Sequence, residues 1–265
     1  MNVTTVLAFV LSLLIQVSYP LAVTLIYRRR TRAPWPPFVY GIVVFALFQL
    51  FTWLPLSVYI DTVLEERLRG EWAAFVWLLA LAFFTALIEE SGRWWGYYYL
   101  FRRGGYGLSW RNGVMYGLGQ GSVETMLLIA GLTFVYLAAY VTLSGVGLEA
   151  AARSLDVDVN TEIMTALHDI VATTWVQPLT VAFERILALP HQVAWALLVM
   201  QSHLSRQKRW FGFAVLYHWS VGVIVPGLAR LGGFALAEGV NLLLALFSLW
   251  LILRFRATDQ ERLLG

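Results

Sequence analysis

The sequence contains no cysteine and only a small share of charged residues. The missing cysteines exclude disulfide bonds, thiolate nucleophiles and metal sites built on sulfur. Charged residues make up 13% of the chain, whereas a soluble domain carries roughly 25%. Hydrophobic residues make up 59% of the 265 positions. We therefore predict an all-α fold, a polytopic helical membrane protein that forms a single integral-membrane domain over residues 1–265.

Long apolar runs predict about seven transmembrane helices, because a span needs about 20 mostly apolar residues. The predicted spans are 4–26, 38–60, 72–100, 112–142, 178–201, 211–229 and 231–253. Residues 143–168 are mostly polar or acidic and are interpreted as a long loop that can include a surface helix. For 169–177 the pattern leaves an interfacial helix or a re-entrant element open.

Basic residues are distributed asymmetrically between the ends of these spans. Thirteen of the 19 Lys and Arg residues lie in the junctions 27–37, 101–111 and 202–210 and in the tail after 253. Four lie at the opposite ends: Arg67, Arg69, Arg153 and Arg230. The positive-inside rule then predicts an outside N-terminus and a cytoplasmic C-terminus. The basic residues form no patch with aromatic readers, so we expect membrane lipid rather than nucleic acid as a partner.

Several ionisable residues remain inside the predicted spans, where each charge costs at least about 2.5 kcal/mol and marks a functional candidate. They are Glu89, Glu90 and Arg93 in the third span, Glu124 in the fourth, Glu184, Arg185 and His191 in the fifth, and His218 in the sixth. Counted at about 1.5 Å per residue, one group in each of these four spans lies about 14–22 Å from the basic end. Because four spans place such a group at similar depth, we predict one buried site.

Residue spacing suggests how these groups are arranged. Glu89 and Arg93 are separated by one helical turn and can pair, whereas Glu90 points about 100° away. Glycines at 117, 119 and 121 allow another helix to approach closely beside Gln120.

Carboxylates and histidines in a buried pocket can activate water for amide hydrolysis. The same groups can hold a metal such as zinc, with Glu89, Glu124, His191 and His218 as candidate ligands. They can also form the proton relay of an ion-coupled transporter.

Four motifs occur in chain order: "EESGR" at 89–93, "SWRNGVMYGLGQGSVE" at 109–124, "FERILALPHQVAWALLV" at 183–199 and "LYHWSVG" at 216–222. Together they resemble the YhfC family of bacterial intramembrane proteases, which looks related to the PrsW proteases and to the CAAX-processing proteases. The resemblance covers roughly residues 1–230. It implies a multi-pass protein of the bacterial cytoplasmic membrane that cleaves a membrane-associated peptide or protein.

The resemblance also implies roles for individual residues. Glu89 is expected to be the general base that activates water, with Glu90 and Arg93 supporting it. Glu124 takes the second-motif position, and His191 and His218 are expected to position water and stabilise the oxyanion. Gln120, Glu184 and Arg185 are expected to support the site. On this interpretation no cofactor is required, although a divalent metal such as zinc is compatible with the residue types.

The chain departs from the family pattern at three positions. Gln120 stands where a histidine is expected, Trp195 where a serine is expected, and Gly222 where His218 should be followed by an aspartate. These departures leave a catalytically inactive protease-like membrane partner as an alternative, beside the transporter. The sequence does not predict an oligomeric state.

Overall fold

The computed structural model describes residues 1–65, 71–147 and 161–264, and over these ranges the protein is helical, with no strand. The helices are α1 (Val3–Thr31), α2 (Pro36–Phe45), α3 (Leu54–Glu65), α4 (Glu71–Trp95), α5 (Trp110–Val123), α6 (Ala130–Val146), α7 (Thr161–Val171), α8 (Val176–Ser205), α9 (Arg209–Gly232) and α10 (Phe234–Leu264). The prediction of an all-α membrane protein is confirmed.

Among the described residues, six helices are long and apolar enough to cross a membrane: Val3–Thr31, Pro36–Leu64, Phe75–Phe101, Trp110–Val146, Arg209–Gly232 and Phe234–Asp259. The predicted fifth span, 178–201, corresponds to α8, which is not among these six. Polar residues dilute the apolar content of α8, and its segment 191–202 is buried throughout. A helix enclosed by protein does not need a lipid-compatible surface. The total of seven spans and the orientation of the termini stay predictions.

Within the described residues, three π-helical segments interrupt the spans. In a π-helix each backbone hydrogen bond reaches one residue further than in an α-helix. The three segments are Ala46–Trp53 between α2 and α3, Gly96–Phe101 after α4, and Glu124–Ile129 between α5 and α6. Such segments are rare and often occur at functional sites. No sequence signal predicts them, because the mostly apolar pattern of the spans continues through each segment.

The chain divides into two compact units that are interleaved in sequence. The smaller unit comprises Met1–Leu21 and Glu124–Ile186, and the larger comprises Ala22–Val123 and Leu187–Gly265. The assignment of the whole chain to one integral-membrane domain stays a prediction.

Buried polar contacts link α1 to α6 within the smaller unit. The Gln16 amide donates to Ser12 Oγ at 2.8 Å and to Thr133 Oγ1 at 3.2 Å. Asn2 donates its backbone N–H to the Tyr140 hydroxyl at 3.0 Å. In an apolar environment such pairs fix the register of two helices, because an unpaired amide there is costly.

Helices α2 and α5 cross closely within the larger unit because both carry glycine at the crossing. A Cβ atom on Gly119 would lie 2.0 Å from the Phe38 carbonyl oxygen, and one on Gly41 would lie 2.2 Å from the Tyr116 carbonyl oxygen. The predicted close approach beside Gln120 is therefore present, and it is made by the backbone of α2.

The predicted loop at 143–168 contains two described helical stretches, the end of α6 and the start of α7. Residues 169–171 end α7, residues 172–175 form the turn between α7 and α8, and residues 176 and 177 begin α8. An interfacial helix with the bounds 169–177 is therefore not present, and the re-entrant alternative stays a prediction. Gln177 Oε1 accepts the backbone N–H of Thr174 at 2.9 Å in this turn. Residues 148–160 of the loop, with Arg153, lie outside the described residues. So do Arg67 and Arg69 of the predicted outer junction.

Candidate active site

Helix α4 supplies three charged side chains near its C-terminal end. Glu89 is 4% exposed, and Glu90 and Arg93 are completely buried. Arg93 Nη2 donates to Glu89 Oε1, and Arg93 Nη1 donates to Glu90 Oε1. The pairing predicted between Glu89 and Arg93 is present, and Glu90 shares the same guanidinium.

Two glutamine side chains from other helices also accept hydrogen bonds from the guanidinium. Arg93 Nε donates to Gln120 Oε1 of α5, and Arg93 Nη2 also donates to Gln192 Oε1 of α8. A planar guanidinium with donors on several sides suits such a divided role better than a lysine ammonium. Arg93 thus joins α4, α5 and α8 within the larger unit.

Two further helical segments reach the carboxylates. Gln49 Nε2, on the π-helical segment after α2, donates to Glu89 Oε2 at 2.7 Å. His218 Nδ1, on α9, lies 2.8 Å from Glu90 Oε1 and donates to it. We call Gln49, Glu89, Glu90, Arg93, Gln120, Gln192 and His218 the Arg93 cluster. The His218 side chain is 12% exposed, against 5% for Glu89 and 0% for Glu90.

Three polar atoms of the Arg93 cluster are buried without a hydrogen-bond partner among the described residues: Gln49 Oε1, Glu90 Oε2 and Gln120 Nε2. The first two are acceptors and the third is a donor. An unsatisfied buried polar atom costs about 1–3 kcal/mol, so its retention calls for a reason such as a catalytic role.

Trp195 of α8 packs against the Arg93 cluster. Its indole stacks on the His218 imidazole with ring centroids 3.8 Å apart and planes 9° apart. The same indole stacks on His191 at 5.7 Å, and the Arg93 guanidinium lies 5.6 Å from its centre. The aromatic side chain at this position therefore fixes the plane of the His218 ring, a task that the expected serine could not perform.

His191 is buried in a second polar group, the His191 network, which also contains Tyr217, Asn241 and Ser248. His191 Nδ1 lies 2.8 Å from Ser248 Oγ and 3.3 Å from the Tyr217 hydroxyl, and Nε2 lies 3.3 Å from Asn241 Oδ1. Since Asn241 Oδ1 can only accept, Nε2 carries the proton and Nδ1 accepts from Ser248. The shared contact with Trp195 is what relates His191 to the Arg93 cluster.

Glu124, Glu184 and Arg185 belong to the smaller unit. Arg185 Nη1 donates to Glu124 Oε1 at 3.0 Å, and both side chains are nearly one-fifth exposed. Glu184 and Arg185 line a cavity of about 660 Å³ together with Asp169. The predicted participation of Glu124, Glu184 and Arg185 in the same site as Glu89 stays a prediction.

The fold and this cluster define a class: a polytopic helical membrane protein with a buried carboxylate–guanidinium–imidazole site. The sequence model of the family described as "YhfC intramembrane metalloprotease" matches residues 11–240. The chain belongs to this family, which confirms the resemblance, and the family description indicates an intramembrane protease. Neither the curated proteins nor the solved structures gave a match.

The family description implies a metal, and the described residues fit one poorly. They contain no group of three or more His, Asp or Glu side chains arranged to hold a metal ion. The Arg93 guanidinium, a permanent cation, already contacts Glu89 Oε1 and Glu90 Oε1. A metal ion bound by these two oxygens would have to displace it. His191 directs both ring nitrogens to Ser248 and Asn241. The mechanism proposed below contains no metal step for this reason.

Sequence reasoning missed the amide members of the Arg93 cluster. Gln49 and Gln192 lie inside apolar runs, and a polar amide in a span is itself a signal, because it needs a hydrogen-bond partner there. Asn241 of α10 is a further buried amide, and its Oδ1 accepts from His191 Nε2 at 3.3 Å. Trp195 was noted only as a departure from the family pattern, since a tryptophan in a membrane helix has no special signal.

Proposed function

We propose that this protein is an intramembrane peptidase that hydrolyses a peptide bond of a membrane-associated substrate with water activated by the Glu90–His218 pair. One observation carries the proposal. Two buried carboxylates and a buried guanidinium of α4 meet a partly buried imidazole of α9, with His218 Nδ1 2.8 Å from Glu90 Oε1. A polar group of this kind is costly in a membrane protein, and such groups mark functional sites.

The pair is suited to accept a proton from water. Glu90 holds the Nδ1–H of His218 and so leaves Nε2 as the basic nitrogen, as a carboxylate does for a catalytic imidazole. His218 is also the most exposed ionisable side chain of the Arg93 cluster. We therefore assign to His218, rather than to either glutamate, the contact with the attacking water.

Glu89 is the base expected from the sequence, and it stays a candidate. Its two oxygens already accept from Arg93 and from Gln49, so a water molecule would have to share an oxygen with one of these donors. We assign Glu89 a positioning role: it accepts from Gln49 and from Arg93, and so holds the guanidinium beside Glu90. The two roles are separated by an experiment described in the Discussion.

In the proposed reaction, only residues of the Arg93 cluster donate or accept protons and hydrogen bonds. Water gives a proton to His218 Nε2 while its oxygen attacks the substrate carbonyl carbon. The resulting oxyanion accepts from the buried Gln120 Nε2, which has no other partner among the described residues. His218 then returns the proton to the leaving amine as the C–N bond breaks. Gln120 can donate in this way without titrating, so it retains the donor function of the histidine expected there.

The proposal is tested by mapping new N-termini in membrane proteins of cells that produce the wild type or a Glu90→Gln variant at equal levels. The expected result is a small set of cleavage sites that depends on the wild type and is lost in the variant. A reconstituted substrate from this set is then cleaved in proteoliposomes by the purified protein.

Three outcomes contradict the proposal. Identical N-termini in both strains would favour an inactive protease-like partner, and a change in ion flux alone would favour a transporter. A purified wild-type protein that leaves the reconstituted substrate intact would assign the cellular cleavage to another protease.

A further inference from the structure

The larger unit contains a cavity of about 680 Å³ at the basic end of its helices. Its walls come from the end of α4, the π-helical segment and loop that follow, the end of α8 and the start of α9. None of the residues assigned a catalytic role above lines this cavity. It therefore needs an explanation of its own.

Positive side chains surround the cavity, and no acidic side chain is among the described residues that line it. Arg102, Arg206 and Lys208 line it from two separate junctions, and all three are exposed. Arg206 adopts a left-handed backbone conformation with φ of 55° in the turn between α8 and α9. The charge of this rim selects for an anion.

The inner wall of the cavity is aromatic rather than polar. Its aromatic residues are Trp94, Tyr97, Tyr98, Phe101, Tyr106 and Phe211. Tryptophan and tyrosine are typical of the level where lipid headgroups meet acyl chains. A cationic rim above an aromatic wall matches an amphiphile that has an anionic head and an apolar chain.

Two buried polar atoms on this wall have no hydrogen-bond partner among the described residues. They are the Tyr97 hydroxyl and His203 Nε2. Tyr97 is 1% exposed, and its ring lies 6.0 Å from that of His203. Burial keeps the pKa of His203 below its ordinary value, and the positive charge of Arg102 acts in the same direction. The Tyr97 hydroxyl can thus donate to a ligand oxygen, and the neutral His203 ring adds a hydrogen-bonding nitrogen beside it.

We propose that this cavity binds an anionic phospholipid, with its phosphate between Arg102, Arg206 and Lys208 and the start of an acyl chain along the aromatic wall. Basic pockets between transmembrane helices recognise phospholipid headgroups in this manner. The volume exceeds what a phosphate alone requires, and the aromatic wall has no use for a soluble anion. An acidic peptide is the competing occupant, and the experiment includes it.

The test uses the full-length protein in a neutral detergent, with bound lipid counted by native mass spectrometry during titration. Phosphatidylglycerol is expected to bind and phosphatidylcholine to bind much more weakly. The Arg206→Gln/Lys208→Gln double variant should bind phosphatidylglycerol roughly 25-fold more weakly, since each cation near an anionic lipid contributes about fivefold. Tyr97→Phe, which removes only the hydroxyl, should also weaken binding.

The matched control is Arg29→Gln/Arg30→Gln, which removes two exposed cations from another basic junction that does not line the cavity. It should leave phosphatidylglycerol binding unchanged. Equal losses in the control, or equal binding of phosphatidylcholine, would overturn the proposal. Displacement of the lipid by glycerol phosphate would assign the site to a soluble phosphate ester, and displacement by an acidic peptide would assign it to substrate.

Discussion

The roles of Glu89 and Glu90 can be separated by replacing each with glutamine. Both variants remove one of the two carboxylates that contact Arg93, and both keep the side-chain volume. The wild-type cluster with neutral His218 carries two negative charges and one positive, so either variant makes it neutral. Because Arg93 keeps one carboxylate in each, we expect the free energy of unfolding to change by only about 1 kcal/mol.

The activities are expected to differ. Glu90→Gln removes the carboxylate that orients His218 and stabilises its protonated form, so kcat should fall about 10²–10⁴-fold, or about 3–5 kcal/mol in barrier height. Glu89→Gln leaves the Glu90–His218 pair intact and should cost about tenfold or less. The measurement is single-turnover cleavage of a reconstituted substrate in proteoliposomes, with thermal unfolding of both variants as the control for folding.

The opposite ranking would refute this reasoning. If Glu89→Gln abolishes cleavage and Glu90→Gln retains it, Glu89 is the base, as the sequence suggests, and Gln49 must release it for catalysis. If both variants cleave at the wild-type rate while unfolding at a lower temperature, the cluster only joins the helices.

Three further predictions concern helix packing, the Glu124–Arg185 ion pair and the need for a metal. Gly119→Ala should destabilise the protein by several kcal/mol and lower its unfolding temperature, because the added Cβ would meet the α2 backbone at 2.0 Å. Gly131→Ala, which has no atom within 4 Å of the added Cβ, should be neutral or slightly stabilising by the same assay. A double-mutant cycle with Glu124→Gln and Arg185→Gln should give a coupling energy of about 1 kcal/mol, and a coupling near zero would contradict the pair. Cleavage should survive a zinc chelator if the cluster acts as arranged, whereas loss of cleavage that added zinc restores would require Arg93 to leave the carboxylates.

The sequence predicted the class of protein because hydropathy and helix length are local properties. The span predicted at 211–229 corresponds to the helix Arg209–Gly232, and the one at 112–142 to Trp110–Val146. The pairing of Glu89 with Arg93 was also predictable, since one helical turn separates them. Contacts between helices were not predictable in detail, because depth in the membrane does not determine which face a residue turns to its neighbours. His191 lies at a suitable depth, and its ring nitrogens hydrogen-bond to Ser248 and Asn241 of α10.

The substitution of Trp for Ser at 195 illustrates the same limit. A family pattern records which residue type is usual, but not what a different type does in its place. In this protein the indole fills the space beside His218 and contacts Arg93 as well. Residue spacing could not predict these contacts, because they depend on how α4, α8 and α9 pack together.

Because Glu89, Glu90 and Arg93 belong to one helix, α4 brings its own counter-ion into the membrane during biosynthesis. A lone carboxylate at the centre of a span costs about 2.5–3.5 kcal/mol during insertion by the translocon. Ion pairs one turn apart form as soon as the helix does, before α5, α8 and α9 are available to pack against it. Arg93 then offsets one of the two carboxylate charges. His218 contacts Glu90 only after α9 has been synthesised. The order of residues along the chain thus allows a highly charged segment to enter the bilayer before the site is complete.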